Sequence, residues 1–279
     1  MKAVPELPEV EAIVRTLRPL LAGQIIQRCK VIHAIAVAGP AKSSKKSAAQ
    51  AFSRRVEHKA IRRIERRGKF VLMELDEGCI AAHFRLDGKF VWADGERMNG
   101  HVDVEFRLGA GTLGYVDPRH LGRVQWAACA EDIPGIAMLG PDPLAGDFTA
   151  RVLRERLEAS KRPLKIALMD PARIAGLGNI YSSESLWRAQ IDPRRSAGSL
   201  TTQELRRLHK SIVEVLRRAL ECCLTPAPDL RNPNWWYAGL ENLLRVYERE
   251  GETCARCGAK IRRLQQGGRS TFACLRCQT

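Results

Sequence analysis

The sequence predicts an α+β protein of several domains: an N-terminal helix with an antiparallel β-sandwich or barrel, a helical domain, and a small C-terminal zinc-binding hairpin. Three observations support this prediction. Short apolar runs separated by turn signals fill residues 25–130, apolar residues at helical spacings follow a Pro- and Gly-rich segment at 139–147, and two Cys-x-x-Cys pairs lie in residues 254–279. The 279 residues are enough for two or three domains, which we place at residues 1–135, 145–225 and 245–279.

The N-terminal domain begins with a helix and continues as antiparallel strands. Apolar residues in the segment 9–21 are spaced by three and four, which gives one helical face. The strands follow as the runs KFVLMEL, GCIAAHF, KFVWA, HVDVEFRL and RVQWAA, with Asp-Gly turn signals at 87–88 and 94–95. These runs predict a sandwich or a barrel. Residues 39–50 (GPAKSSKKSAAQ) are small, polar and basic, and they predict a solvated loop.

The helical domain is predicted from four amphipathic segments, at 149–159, 163–170, 179–189 and 202–222. Thr201 and Glu204 have the spacing of a capping box and mark the start of the last helix. The turn AGLGN at 175–179 lies between two helices. Its glycines and the following helix N-terminus can bind a phosphate, although glycines in such a turn can also serve only as helix caps.

The composition indicates a polyanionic partner. Lys and Arg number 46 against 31 Asp and Glu, a net charge of +15. Nucleic acid is the first candidate and a membrane surface the second. No stretch approaches the roughly 18 apolar residues of a membrane span, so we exclude an integral membrane protein. The N-terminus lacks a signal-peptide core, and nine Cys, an odd number, suit a reducing compartment. We therefore expect a cytoplasmic protein bound to DNA or RNA.

Four cysteines at the C-terminus have the spacing of a tetrahedral zinc site. Cys254, Cys257, Cys274 and Cys277 form two Cys-x-x-Cys pairs separated by 16 residues. We predict one structural Zn²⁺, which such a small hairpin needs in order to fold. The same segment carries six basic residues and no acidic one. They predict phosphate contacts, and the alternative is a charge that only keeps the hairpin soluble.

A second basic run covers residues 54–69, with eight basic residues against two glutamates. Such a run can be an ordinary solvated face. Lys69 differs from the others because an apolar strand, Phe70-Val71-Leu72, follows it directly. We therefore expect Lys69 to lie at the entrance of a strand, where it can be held rigidly.

Several motifs together resemble the formamidopyrimidine-DNA glycosylases. They occur in order along nearly the whole chain: PELPEVE at 5–11, RRGKF at 66–70, HFRLDG at 83–88, YVDPRHLG at 115–122, KIALMD at 165–170, AGLGNIYSSESL at 175–186, and the four cysteines. The resemblance implies a β-sandwich, a helix–two-turns–helix domain and a zinc finger. It also implies a monomeric enzyme that removes oxidised purines (8-oxoguanine and formamidopyrimidines) from double-stranded DNA and then cleaves the strand by β,δ-elimination.

The resemblance also assigns roles to individual residues. Pro5 would supply the amine nucleophile and Glu6 the general acid and base. Lys69 would contact a phosphate and donate protons, while Arg269 and Asn179 would hold the phosphates that flank the lesion. The further DNA contacts would be His83, Asn99, Arg119 and Lys165. Leu86, Arg119 and Leu121 would fill the space left by the flipped base. In the commonest pattern of the family, a methionine and an aromatic residue stand at the two positions that are leucine here. As an alternative, these leucines belong to the sandwich core.

One departure from the family concerns the N-terminus. Met1 to Val4 precede Pro5, and an amide nitrogen cannot act as the nucleophile. We expect translation to start at Val4, read as methionine from a GTG codon, so that removal of this methionine exposes Pro5. The first alternative is a non-catalytic protein that binds damaged DNA with Pro5 masked. The second is an endonuclease VIII-like glycosylase for oxidised pyrimidines, against which Leu7 argues because that branch typically has glycine there.

Overall fold

The chain is described by a computed structural model that covers residues 4–38, 44–95, 98, 100–225, 228–232, 235 and 239–279. Its described residues form two compact units, and each unit is assembled from separate stretches of the chain. The first unit takes residues 4–5, 9–137 and 223–238, and the second takes residues 6–8, 138–222 and 239–279. Within the described part of the chain, no helix has the length and apolar character needed to cross a bilayer.

The first unit contains two antiparallel four-stranded sheets, which confirms the predicted β-sandwich. The strands are β1 (Arg28–Val31), β2 (Ile61–Arg67), β3 (Phe70–Leu75), β4 (Cys79–His83), β5 (Lys89–Ala93), β6 (Val104–Leu108), β7 (Gly111–Val116) and β8 (Arg123–Ala127). One sheet has the order β1-β6-β7-β5 and the other β2-β3-β4-β8. The Tyr115 hydroxyl on β7 donates to the His83 carbonyl on β4 (3.3 Å), so a hydrogen bond joins the two sheets.

Three helices accompany these sheets: α1 (Leu7–Leu21), whose residues from Glu9 onward belong to this unit, α2 (Lys45–Val56) and the short α3 (Pro134–Ala137). The helical face predicted for α1 is buried, because its apolar residues are all fully inaccessible: Val10, Ile13, Val14, Leu17 and Leu21. The interior of the unit is therefore closed by an amphipathic helix as well as by strands.

Helix α2 corrects the prediction of a loop over residues 39–50. Residues 39–43 lie outside the described residues, but Ser44 is an N-cap whose hydroxyl accepts from the Ser47 N–H (3.2 Å), and a helix follows it. Its buried side chains are small or widely spaced: Ala48, Ala49, Phe52 and Val56. Packing of this narrow apolar face stabilises the helix. The segment is otherwise rich in Ser and Lys, so its composition is typical of a loop.

The second unit is built from helices and a two-stranded hairpin. They are α4 (Ala150–Leu157), α5 (Leu164–Leu168), α6 (Asn179–Ala189), α7 (Thr202–Cys223), α8 (Leu240–Leu243), β9 (Arg262–Gln266) and β10 (Arg269–Ala273). All four predicted helices are present. The capping box is confirmed, because the Thr201 N–H donates to Glu204 Oε2 (2.8 Å) and the Glu204 N–H donates to Thr201 Oγ1 (3.3 Å).

The C-terminal hairpin packs around a small apolar cluster that includes a residue of α6. The buried members are Trp187, Val246, Cys254, Ile261, Phe272 and Cys274. Glu184, also on α6 and buried, accepts hydrogen bonds from the backbone N–H groups of residues 245–247 at 2.9–3.0 Å. Helix α6 is thereby fixed to the start of the C-terminal module.

Candidate functional site

Glu6 is held at the N-terminus of α6. Its side chain is buried, and its carboxylate accepts three backbone hydrogen bonds: Gly178 N–H to Oε2 (2.8 Å), Ile180 N–H to Oε1 (3.0 Å) and Tyr181 N–H to Oε2 (3.4 Å). The unpaired N–H groups and the dipole of a helix N-terminus favour a negative charge. The sequence predicts a phosphate or a simple cap at this turn, and the anion that the structure places there is Glu6.

The glycine turn before α6 is shaped to receive this N-terminal segment. Gly176 has φ of 81°, and a Cβ there would lie 2.7 Å from the side chain of Leu7. The Leu7 N–H donates to the Gly176 carbonyl (3.2 Å), which fixes the residue next to Glu6. Pro5 is buried directly before Glu6, and its nitrogen belongs to the amide bond with Val4. The nucleophile predicted from the resemblance is thus beside a rigidly positioned carboxylate.

Lys165 is a fully buried ammonium group under the first turn of α6. It donates to Asn179 Oδ1 (2.5 Å), to the Ser270 carbonyl (2.8 Å) and to Thr271 Oγ1 (2.8 Å). Its three donors are therefore used inside the protein. Its ammonium group is inaccessible and fully hydrogen-bonded within the protein, so the structure favours an indirect role for Lys165, and the expected direct contact with DNA stays a prediction.

Burial lowers the pKa of Lys165 to about 8, with nearby Glu6 opposing the shift and Arg269 adding to it. Lys165 interacts with three predicted site residues in this unit. It donates a hydrogen bond to Asn179, the charge of Glu6 stabilises its charged form, and it contacts Ser270 and Thr271, which follow Arg269 on β10. We assign it a positioning role. Its hydrogen bond orients the Asn179 side-chain amide, which is also hydrogen-bonded to Tyr247.

Arg269 lies at the tip of the β9–β10 hairpin. The turn is formed by Gly267 and Gly268, which have φ of 54° and 73°, and Arg269 is the first residue of β10. Gln266 and Arg269 pair across this two-residue turn, whose positive φ values favour glycine. The Arg269 side chain is exposed. It is therefore accessible to a ligand, as a phosphate contact requires.

The four predicted zinc ligands converge. The sulfur atoms lie within 4.8 Å of one another, with Cys254 and Cys277 3.9 Å apart and Cys257 and Cys274 3.5 Å apart. Tetrahedral zinc with bonds of about 2.3 Å to sulfur places its ligands roughly 3.8 Å apart, so the set fits one zinc ion. Burial opposes ionisation of Cys254. Hydrogen bonds from the Trp187 indole (3.4 Å) and from nearby backbone N–H groups outweigh burial and lower its pKa to about 6.

In the first unit, Lys69 occupies the two-residue turn between β2 and β3. Arg67 and Phe70 pair across this turn, and Gly68 has φ of 57°. Arg66 fixes the turn from behind, because its guanidinium donates to the Gly68 carbonyl (3.1 Å) and to the Glu11 carboxylate (2.9 Å) on α1. The predicted position of Lys69 at a rigid strand entrance is confirmed.

His83, at the end of β4, is a neutral imidazole. Its Nδ1 accepts from the Arg85 N–H (3.0 Å), and its ring meets that of Phe70 edge-on at 4.7 Å. Burial, with smaller contributions from the positive charges of Arg85 and Lys69, lowers the pKa of His83 to about 3. Since Nδ1 accepts, the proton is on Nε2, which can donate a hydrogen bond.

Sequence and structure comparisons find the same family along the whole chain. Three family models match: the formamidopyrimidine-DNA glycosylase N-terminal domain (residues 4–124), the formamidopyrimidine-DNA glycosylase H2TH domain (139–225), and the zinc finger found in FPG and IleRS (251–279). The formamidopyrimidine-DNA glycosylase of Bacillus licheniformis is 36% identical over 279 residues, with 99% of both chains covered. That of Moorella thermoacetica is 40% identical over 267 residues, which cover 94% of this chain and 95% of its own. The chain belongs to the formamidopyrimidine-DNA glycosylase family.

Solved structures give the same result. A complex of Lactococcus lactis Fpg with DNA containing N7-benzyl-Fapy-dG has a TM-score of 0.86 at 31% identity, and it covers 99% of this chain and 100% of its own. A complex of the same protein with DNA containing an abasic site gives the same values. The helix–two-turns–helix domain and the zinc finger implied by the resemblance are therefore present, and the four cysteines form the site of one structural zinc ion.

The residues predicted to replace a flipped base are exposed in this member of the glycosylase family. Leu86 and Leu121 are 39% and 45% exposed, so the alternative that they belong to the sandwich core is wrong. Arg119 forms an ion pair with Asp87, and its backbone N–H donates to Asp117 Oδ1 (3.2 Å). The side chains are available to a duplex. Asn99, the remaining predicted contact, lies outside the described residues.

Sequence reasoning missed the partners that organise the second unit's part of the site. Thr271 and Tyr247 hold Lys165 and Asn179, and Glu184 anchors the segment that contains Tyr247. Burial raises the pKa of Glu184, although three backbone N–H donors oppose this shift. No spacing in the sequence marks these residues. Of these residues, only Glu184 lies in one of the family motifs, AGLGNIYSSESL at 175–186. An acidic side chain in a helix that is mostly apolar or small indicates a buried carboxylate with hydrogen-bond partners, and Glu184 could have been found from that pattern.

Proposed function

We propose that this chain excises oxidised purines from double-stranded DNA and then cleaves the strand at the abasic site, with Pro5 as nucleophile and Glu6 as general acid and base. The observation that carries the proposal is the position of Glu6: a buried carboxylate, fixed by three N–H donors, next to a proline that can supply a secondary amine. An α-amino group with a pKa of roughly 7.7–8.0 has a useful neutral fraction near neutral pH.

The chemistry follows from that amine. The neutral Pro5 nitrogen attacks the sugar C1′, the bond from C1′ to the base breaks, and the base leaves with a proton. Because the nitrogen is secondary, opening of the sugar ring gives an iminium that is permanently cationic. This cation accepts the electron pair released when a proton leaves C2′, and the 3′ phosphate departs. The same electron sink then allows the 5′ phosphate to depart. Glu6 transfers protons at the sugar and the base.

The other residues bind and orient the DNA. Lys69, fixed in its turn, contacts a phosphate and donates a proton during elimination. Arg269 and Asn179 hold the phosphates on either side of the lesion, and Lys165 keeps the Asn179 amide in place. His83 donates a hydrogen bond through Nε2. Zinc, when bound, stabilises the fold of the hairpin that carries Arg269.

Leu86, Arg119 and Leu121 occupy the space vacated by the flipped base, since that gap must be filled while the base is outside the stack. We assign residues 1–135 to catalysis, and residues 145–225 and 245–279 to DNA binding. Asn99 stays a predicted DNA contact. The protein acts as a monomer, and we propose the cytoplasm, at the nucleoid, as its location.

The test compares two forms of the chain, one that begins at Pro5 and one that begins at Met1. Each is incubated with a duplex that contains 8-oxoguanine in the presence of borohydride, which reduces the iminium to a stable covalent adduct. We expect the adduct only from the Pro5 form, with DNA binding by both forms. Equal trapping of both forms, or faster excision of an oxidised pyrimidine than of 8-oxoguanine, would contradict the proposal. Peptide mapping of the adduct identifies the attached residue.

A further inference from the structure

Three histidines and one aspartate converge at a second place in the first unit. His33 follows β1, His101 and Asp103 precede β6, and His120 follows β7. The chain has six histidines, and three of them meet here although they come from three separate segments. None of these four residues has a role in the reaction proposed above.

The distances around Asp103 are those of a metal site. Its Oδ1 lies 3.0 Å from His33 Nδ1, 3.4 Å from His101 Nε2 and 3.0 Å from His120 Nδ1. All four ligand atoms lie within 4.8 Å of one another. Tetrahedral zinc with bonds of 2.0–2.1 Å to nitrogen and oxygen places its ligands about 3.3 Å apart. The distances to Asp103 already match this value, and small rotations of the exposed imidazoles would bring the nitrogen atoms together.

His120 supplies an independent observation. Its Nδ1 atom is buried and, among the residues that the structure describes, has no hydrogen-bond partner, although it lies 3.0 Å from Asp103 Oδ1. Its backbone has φ of 50°, a conformation that is uncommon for a residue other than glycine. A buried, unpaired nitrogen costs free energy, which coordination to a metal would recover.

Asp103 is presented as a ligand by its surroundings. It is fully buried, and its other oxygen, Oδ2, accepts the Asp117 N–H (2.6 Å). This hydrogen bond leaves Oδ1 directed at the imidazoles. A hydrogen-bonded carboxylate beside several histidines is a common arrangement around bound metals, because it fixes the orientation of the ligands.

We propose that His33, His101, His120 and Asp103 bind a divalent transition metal ion, with Zn²⁺ as the ion that best fits three imidazoles and one carboxylate. Imidazole nitrogen selects ions of this class over Mg²⁺ and Ca²⁺, which prefer all-oxygen ligands. The ion also neutralises the buried charge of Asp103. This site shares no ligand with the four cysteines.

The bound ion would stabilise the turn that carries Arg119 and Leu121. Asp103 holds the Asp117 N–H, and Asp117 in turn accepts from the backbone N–H groups of Arg119 (3.2 Å) and Gly122 (2.5 Å). His120 is part of the same turn. Metal binding thus restrains residues 117–122 at two points, through the hydrogen bond of Asp103 to Asp117 and through His120 itself.

The test measures metal content in the full chain without a histidine tag. The protein is dialysed against Zn²⁺, then against metal-free buffer, and analysed by mass spectrometry of the metal. We expect two equivalents of zinc per chain in the wild type and one in His33→Asn, His101→Asn and His120→Asn. The control is His58→Asn, which lies outside the cluster and also has a positive φ (64°) that asparagine tolerates, and we expect it to retain two equivalents.

A second readout identifies the ligands. Co²⁺ added to protein whose cysteines already hold zinc should give visible d–d absorption without the near-ultraviolet charge transfer of a cobalt–thiolate bond. The three cluster variants should lose this absorption. A single equivalent of zinc in the wild type, a thiolate spectrum, or two equivalents in all three variants would overturn the proposal. Because the side chains of His33 and His101 are 40% and 41% exposed, against 28% for His120, their variants test the proposal even if His120→Asn is unstable.

Discussion

Replacement of Lys165 by methionine tests the positioning role that the structure gives this residue. Methionine has a similar length and no charge, so the substitution removes three hydrogen bonds with little change in volume. The acceptors left behind are Asn179 Oδ1, the Ser270 carbonyl and Thr271 Oγ1. All three lie around a group that water does not reach.

The magnitude follows from those contacts. A hydrogen bond to a charged group contributes about 1.5–3 kcal/mol, so three together contribute on the order of 5 kcal/mol. Removal of a buried ammonium also relieves its desolvation, which offsets part of this loss. We expect Lys165→Met to lower the free energy of unfolding by about 3 kcal/mol. We also expect it to weaken binding to a duplex with an abasic-site analogue by roughly tenfold, because Asn179 is no longer oriented.

Denaturant unfolding and fluorescence anisotropy measure the two effects, and the exposed Lys161→Met is the control. A third readout uses pH. Since the pKa of Lys165 is about 8, the wild type should lose affinity between pH 7 and pH 9, and Lys165→Met should not. If Lys165→Met kept wild-type stability but lost DNA binding, Lys165 would be a direct DNA contact and the structural assignment would be refuted.

Three further predictions concern other parts of the molecule. Lys69→Ala should lower the rate of single-turnover strand cleavage by about 100-fold with little effect on DNA affinity, because a positioned proton donor acts on the chemical step. Arg269→Ala should weaken DNA binding and reduce the slope of log affinity against log salt concentration by about one. Equal losses of rate and affinity in both variants would refute this division of roles. Cys257→Ser should hold one zinc equivalent less than the wild type and bind DNA weakly, and undiminished zinc would contradict the assignment. His83 has a pKa of about 3 in the folded protein against 6.5 in the unfolded chain, so the unfolded chain takes up the proton first as the pH falls. Between pH 7.5 and pH 5 the wild type should therefore lose about 2 kcal/mol of unfolding free energy, and His83→Asn should not show this loss. Identical dependence of stability on pH in the two proteins would contradict the prediction.

Local patterns predicted well those features that depend on local chemistry. The cysteine pairs, the limits of α6 and the capping box at Thr201 could all be found from spacing, because a metal site and a helix start are each defined by a few neighbouring residues. Helix α2 was missed for the opposite reason. Its stability comes from a buried face of two alanines, Phe52 and Val56 packed on the sandwich, and a polar sequence gives little sign of that face.

The residues of the candidate site could be predicted from the sequence, but the hydrogen bonds that connect them could not. Lys165 could be identified as a site residue, but its burial depends on Ser270 and Thr271, which lie 105 and 106 positions further along the chain. Glu6 was expected to act on the substrate, yet nothing in the sequence connects it to the amides of α6, 172 positions away. Such long-range pairs depend on the tertiary fold and leave no mark in the local spacing of residues.

The way the backbone is shared between the two units limits how this protein can be divided or recombined. Residues 6–8 belong to the second unit although the residues on either side belong to the first, and residues 223–238 return to the first. A cut between residues 137 and 138 would therefore separate α6 from the carboxylate that caps it. Three amide hydrogens would lose their acceptor, so a gene fragment encoding only residues 138–279 would not carry an intact unit. Suppose that recombination replaced residues 138–279 by the corresponding part of a distant relative. The PELPE segment at 5–9 would then have to fit the glycine turn of the new part, so these two distant parts of the gene must evolve together.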